Sequence, residues 1–222
     1  MKIFKQVKTA NEKRLESVLS EVEMLAKGHD IRNHKAIFYI VKIYTDYLNI
    51  SQNKKLLQHD APFNAFIDDD ILFNENVYVK YNKSNILELG KISIISNVWN
   101  SDRQIDTLAD IGDCENPWKE DISNHLYKLF LPLGIVAVEN GKHSTNCGII
   151  KSTGYIKLAP KKSNVEIYDI SHMFEKVYFD GNKYLNKKSG KSICKTKFEY
   201  GCLFEIGRII NNYDISFFNL FT

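Results

Sequence analysis

"GIVAVENGKHSTNCGIIKSTGYIKL", residues 134–158, decides the fold. Residues 135–138 form an apolar run suited to a buried strand. Glu139, Asn140, Gly141, Lys142, His143 and Ser144 interrupt it with an acid, an amide, a base, an imidazole and a hydroxyl. Gly141 permits the positive φ of a sharp reversal. A helix is predicted to start at His143 or Ser144, capped by Ser144. Gly148 lets that helix pack close to the sheet, Gly154 ends the segment, and residues 155–158 read as another strand. The first amides of a helix have no internal partners, and the helix dipole is positive there. A strand, glycine turn and helix start therefore form an anion site.

Working outward, Leu15, Val18, Leu19, Val22 and Leu25 recur at helical spacing between Asn11 and Lys27, and Gly28 stops the run. A second helix is predicted over residues 31–48, with Ile37, Phe38, Ile40, Val41, Tyr44 and Leu48 on one face. Together they make an N-terminal helical hairpin. Residues 77–81 and 92–95 read as strands, and a short helix runs through Leu108 and Ile111. Pro117 and Trp118 are predicted to open a helix with Ile122, Leu126, Leu129 and Phe130 on its apolar face, ended by Pro132 and Gly134. Residues 165–168 read as a strand, 180–183 as a turn, 187–197 as a basic loop, and 198–211 as a C-terminal helix. The expected fold class is α/β (α+β), with a small mixed sheet. The expected organisation is a helical extension over residues 1–60 and an α/β domain over 61–222.

The chain has 222 residues, with 30 basic and 27 acidic side chains and a net charge of +3. That balance does not point to nucleic acid. Arginine, the preferred fork for phosphates and bases, stands only at positions 14, 32, 103 and 208. DNA is not an expected partner, and the Lys-rich stretch 183–197 reads as a solvated loop. Cys114, Cys147, Cys194 and Cys202 form no CxxC pair, so reduced thiols and no zinc are expected. Haem and flavin are not expected either. The first residues lack the apolar core of a signal peptide, and no run approaches a membrane span, so a cytoplasmic location is expected. Gly190-Lys191-Ser192 fails as a phosphate loop, because position 185 is Leu. Asp68, Asp69 and Asp70 are adjacent in sequence, so their side chains point apart and read as a solvated turn.

A resemblance enters at the Gly-x-His turn. Strand, Gly141-Lys142-His143-Ser144, a helix with small residues and a further strand resemble the ParB/sulfiredoxin-type core. Members of that superfamily carry Gly-x-His-Arg or Gly-Glu-Arg-Arg at this turn and engage nucleotide phosphates with it. "ILELGKISIISNVWNSDRQIDTLADIG", residues 86–112, is similar to the opening strand, Asn-rich turn and Arg-bearing helix start of that fold. Asn97, Asn100 and Arg103 fall in its first nucleotide-facing box. The resemblance covers residues 86–160. Lys142 stands where sulfiredoxins use Cys, which argues against sulfinic acid reduction. Ser144 replaces the usual Arg, so one phosphate fork is missing. The chain also resembles a bacterial family of similar length, without assigned activity, whose usual turn is Gly-Asn-His-Ser.

The resemblance and the turn together imply a nucleotide-binding protein, with phosphoryl transfer or phosphodiester or NTP hydrolysis at residues 139–144. In that expectation Glu139 acts as base, and His143 and the helix N-terminus hold phosphate. Asn140, Gly141, Lys142, Ser144, Asn100 and Arg103 complete the phosphate site. Mg²⁺ is expected to arrive with a triphosphate ligand. The alternative is a non-enzymatic interaction or sensing module of a mobile-element or anti-phage defence operon. A protein partner or homo-oligomer through the N-terminal helices is a further expectation.

Overall fold

The computed structural model describes residues 8–28, 30–58, 71, 77–160 and 163–221. The predicted acidic turn at Asp68–Asp70 lies outside them.

The hairpin predicted at the N-terminus is present. Helix α1 (Ala10–Lys27) opens on a capping box in which Thr9 and Glu12 satisfy each other's amides. Helix α2 (Ile31–Leu57) starts at Asp30, whose carboxylate accepts from the Arg32 amide. It runs nine residues beyond the predicted end at Leu48. No glycine or proline stands at residues 49–57 to stop it, and Leu56 carries the buried face onward.

The central sheet has five strands in the order β1 (Val77–Tyr78), β7 (Val165–Asp169), β4 (Leu126–Leu131), β5 (Ile135–Asn140), β3 (Ser93–Ile95). It is mixed: β3 runs parallel to β5 and β4 parallel to β7, while β4 and β5 form an antiparallel hairpin. Helix α3 (Ser101–Asp110) follows β3, and helix α4 (Lys142–Ile150) follows β5. Strands β2 (Asn85–Glu88) and β6 (Tyr155–Leu158) form a separate antiparallel ribbon. A three-stranded sheet of β8 (Val177–Phe179), β9 (Lys183–Asn186) and β10 (Ser192–Lys195) packs with helix α5 (Phe198–Asn212), and a last turn, α6 (Phe218–Phe221), follows. The chain thus has a mixed α+β fold with an N-terminal helical hairpin and a C-terminal helix.

Two elements differ from expectation. The helix predicted after Pro117 is a set of turns followed by β4. Leu126, Leu129 and Phe130 satisfy a helical spacing, but Tyr127 and Leu129 also alternate, and their register against Val138 and Val136 buries both. The proposed helical face is split: Leu129 and Phe130 are buried, while Ile122 and Leu126 are left in solvent at 65% and 48% exposed. A short apolar run fits both periods, and the open backbone edge of β5 decides between them. The basic loop 187–197 also contains β10, which pairs with β9 around Gly190. Its Lys-flanked, largely exposed strand lies at the edge of its sheet, where charge blocks further pairing.

Helix α2 is joined to the sheet by buried polar side chains as well as by packing. Asn49, 4% exposed, donates to the Ile94 carbonyl at 2.7 Å and accepts from the Ser96 amide at 3.0 Å. Asn53 exchanges hydrogen bonds with Asn146 on α4 at 2.9 and 3.2 Å. Asn49 thereby satisfies backbone groups at the end of β3, and the Asn53–Asn146 pair ties α2 to α4. Arg208 on α5 is a structural arginine. It bonds Glu205 and the carbonyls of Phe174 and Val177.

Candidate functional site

The turn after β5 sits at the mouth of a cleft of about 410 Å³. That is within the usual range for a small-molecule site. Residues 139–144 form one wall. Trp99, Arg103, Thr107 and Ile111, from α3 and its flanks, form the other, and Asn124 closes one side. The structure therefore brings Glu139, Asn140, Gly141, Lys142, His143, Ser144 and Arg103 together. Asn100 does not line the cleft. Its carboxamide caps α3 by accepting from the Arg103 amide at 2.8 Å. That bond orients the start of the arginine-bearing helix.

Gly141 is the reversal. Its φ is +74°, and it serves as the N-cap of α4 with no side-chain cap. Ser144 is not the cap that the sequence suggested, because its hydroxyl donates back to the Gly141 carbonyl at 3.1 Å. The first intrahelical bond runs from the Thr145 amide to Gly141 at 3.0 Å, so the amides of Lys142, His143 and Ser144 precede it. Ser96 and Trp118 donate to the Lys142 and Ser144 carbonyls, both at 2.8 Å. Gly148 allows close approach as expected, but to a different neighbour: a Cβ there would stand 2.4 Å from Leu89 Cδ1 and 2.8 Å from the Thr153 carbonyl.

Beneath the turn lies a residue the sequence placed on a helix. His125 is 2% exposed, stacked on Trp118 at 5.1 Å and near Tyr127 at 6.0 Å. Its Nε2 lies 2.7 Å from Ser144 Oγ, the distance of a nucleophile and its base. The proton is on the wrong nitrogen for that role. The Asp121 amide donates to Nδ1 at 2.8 Å, so the neutral ring carries its hydrogen on Nε2 and donates to Ser144. His125 is a brace for the turn. Burial holds its pKa below the ordinary value, against the pull of the Asp121 carboxylate.

That shift sets a pH dependence. The unfolded chain takes up the proton near pH ~6.5, before the folded ring does. The contribution to stability is whole above that pH and is lost as pH falls toward the lower folded value. The urea midpoint is expected to drop between pH 7.5 and 5.5, and to drop less in His125→Gln. An equal slope in both proteins would assign the loss to other groups.

His143 stands in the wall of the cleft. Its ring is half-buried, edge-on to Trp99 at 5.5 Å, with Nδ1 3.3 Å from the Gln104 carboxamide oxygen. Burial, then the charges of Arg103 and Lys142, hold its pKa below the ordinary value. Its Nε2 and the Gln104 amide nitrogen are buried without a partner. Arg103 also lies over the Trp99 ring at 5.5 Å. Glu139 is the one carboxylate among the described lining residues, and it pairs with Lys128 at 3.4 Å. No group of three His, Cys, Asp or Glu side chains converges among the described residues. Cys147 is a buried thiol whose Sγ lies 3.1 Å from the Ile111 carbonyl, tying α4 to the end of α3.

Sequence reasoning missed Trp99, Thr107, Ile111 and Asn124 as lining, and Gln104, Asn49 and Asn53 as support. Trp99 carried a signal, since an aromatic just before a capped, Arg-bearing helix start marks a surface corner. The others carried none, because their partners lie far along the chain.

A family model spans residues 1–217 of this architecture. The chain belongs to DUF6710, a family of unknown function. The match covers the helical hairpin, the sheet and the C-terminal helix together, so the cleft lies within the family's own boundaries. Comparison with curated proteins and with solved structures returns no match. No helix among the described residues is long and apolar enough to cross a membrane.

Proposed function

We propose that the cleft binds a phosphate-bearing ligand, a nucleotide in the first place, with its phosphates over the start of α4. The observation that carries this reading is convergence. Arg103 and Lys142, from two different helices, flank the same opening as the first amides of α4, and Trp99 stands at its mouth 43% exposed. Two cations, the first amides of a helix and the positive end of its dipole favour an anion. A half-exposed indole beside them offers a surface on which a base stacks.

The ParB/sulfiredoxin likeness of residues 86–160 supports the same ligand class. In this reading, hydrolysis or phosphoryl transfer uses Glu139 to take the proton from water or a hydroxyl as the new P–O bond forms. Arg103 and Lys142 offset the charge left on the departing oxygen. His143, neutral when the cleft is empty, gains a proton more readily once phosphate is present. Mg²⁺ enters with a triphosphate, and no step is assigned to it.

The experiment is a melting-temperature screen with ATP, CTP and GTP, with and without Mg²⁺. Ligand at 100 times its Kd stabilises the chain by ~2.7 kcal/mol. Arg103→Ala is expected to weaken the best ligand at least ~10-fold by titration calorimetry while leaving the melting temperature of the empty protein in place. Absence of any shift at millimolar nucleotide removes the proposal. An unchanged affinity in Arg103→Ala moves the ligand elsewhere.

A further inference from the structure

Helix α2 is apolar on two opposite faces. Ile37, Phe38, Val41, Thr45, Leu48, Asn49 and Leu56 form its buried inner face. On the outer side Tyr39, Ile43, Tyr47, Ile50 and Leu57 are 50%, 65%, 55%, 66% and 52% exposed. At 100° per residue these five fall within an arc of about 80°, in a stripe about 27 Å long. Tyr39 touches the Phe221 ring edge-on at 6.2 Å and is still half exposed. A helix that meets solvent on one side carries polar residues there, whereas one apolar on both sides is covered on both. Scattered exposed apolar residues are ordinary, but a contiguous stripe marks an interaction surface.

We propose that this face docks against the same face of a second copy of the chain, with the two α2 helices antiparallel. The pattern is self-complementary about its own middle. Reversing the helix around residues 46 and 47 sets Ile43 of each copy on Ile50 of the other, and Ala36 on Leu57. It also brings the two Tyr47 rings together at the two-fold axis. Exposed Lys54 then meets Tyr39, an ammonium over an aromatic ring. Arg32 and Lys54 lie in the same arc as the stripe, at its two ends. A parallel pairing in register would set Arg32 on Arg32 and Lys54 on Lys54, whereas the antiparallel one separates them. An isologous contact needs this kind of palindrome. The area also suffices. Half to two-thirds of five large side chains is on the order of 500 Å² per copy, or about 1,000 Å² across the pair, which is the lower bound for a specific interface. The dimer is therefore of modest affinity and depends on concentration.

Sedimentation equilibrium of the full chain from low to high micromolar concentration tests this. A monomer–dimer equilibrium is expected. Ile43→Asp alone and Ile50→Lys alone should each weaken it at least ~10-fold. An equimolar mixture of the two variants should restore a heterodimer. In that pair the introduced acid faces the introduced base at one contact, and isoleucine faces isoleucine at the other. Both positions are about two-thirds exposed, so melting temperatures should stay with the parent. If charge disturbs the helix, Ile43→Ser and Ile50→Ser provide the same weakening. A chain that stays monomeric throughout overturns the proposal. So does a dimer indifferent to both substitutions, or a mixture that fails to recover it. None of these outcomes bears on the cleft, which lies apart from this stripe.

Discussion

Gly141→Ala is expected to lower the stability of the chain by about 3 kcal/mol. Two independent costs meet at this residue. Its φ of +74° is one that an L side chain adopts with strain. An added Cβ would also stand 2.0 Å from Cδ2 and 2.9 Å from Nε2 of His125. That ring cannot swing aside, because it is stacked on Trp118 and bonded at both nitrogens. For a chain of this size the loss corresponds to a fall in Tm of roughly 6–12 °C. Gly141→Asn separates the two costs. Asparagine tolerates positive φ but brings the same Cβ. If Asn is as damaging as Ala, the clash dominates. If it is nearly neutral, the ring moves and the packing beneath the turn is softer than the distances imply.

His125→Ala should cost about as much, on the order of 3–4 kcal/mol. It removes a buried ring between Trp118 and Tyr127, leaves the Asp121 amide without its acceptor and takes from the Ser144 hydroxyl one of its two hydrogen bonds. The companion variant is His143→Ala. Its half-buried ring has one long hydrogen bond, so its loss should cost about 1 kcal/mol. Under the proposed function, His143→Ala nevertheless weakens nucleotide binding by about an order of magnitude. Urea unfolding and nucleotide titration of the two proteins side by side check both claims. Equal destabilisation by the two variants would contradict the assigned roles. Full ligand affinity in His143→Ala would reduce His143 to a packing residue.

The contrast between the two histidines shows how far local pattern reaches. His125 falls inside the helix predicted after Pro117, yet it is packed by other means. It precedes a strand and braces a turn 16 residues away, where the sequence placed it on a helical stripe. His143 reads as a phosphate-holding member of the turn, and Trp99 and Gln104, some 40 residues earlier, partly cover it. Arg103 stood out through the scarcity of arginine. Only the resemblance put it in one site with Lys142; no local pattern did.

The sequence by itself determined the elements whose signals are long or conformationally unique. Helices α1 and α5 follow from sustained 3.6-residue periodicity with their stops. The start of α2 follows in the same way. The reversal into α4 follows from an apolar strand meeting the glycine that φ of +74° demands. Tertiary structure alone decided the rest. Residues 126–131 suit helix and strand equally, and the unpaired edge of β5 makes them a strand. The basic stretch after Lys187 carries no inward face, and only pairing with β9 gives it β10. Asn49 and Asn53 look like ordinary polar positions on a helix until the carbonyls, amides and carboxamide they satisfy come within 3 Å or so. Periodicity reports which face of an element is buried. It carries no record of what lies against that face, and the cleft is built from such contacts between distant parts of the chain.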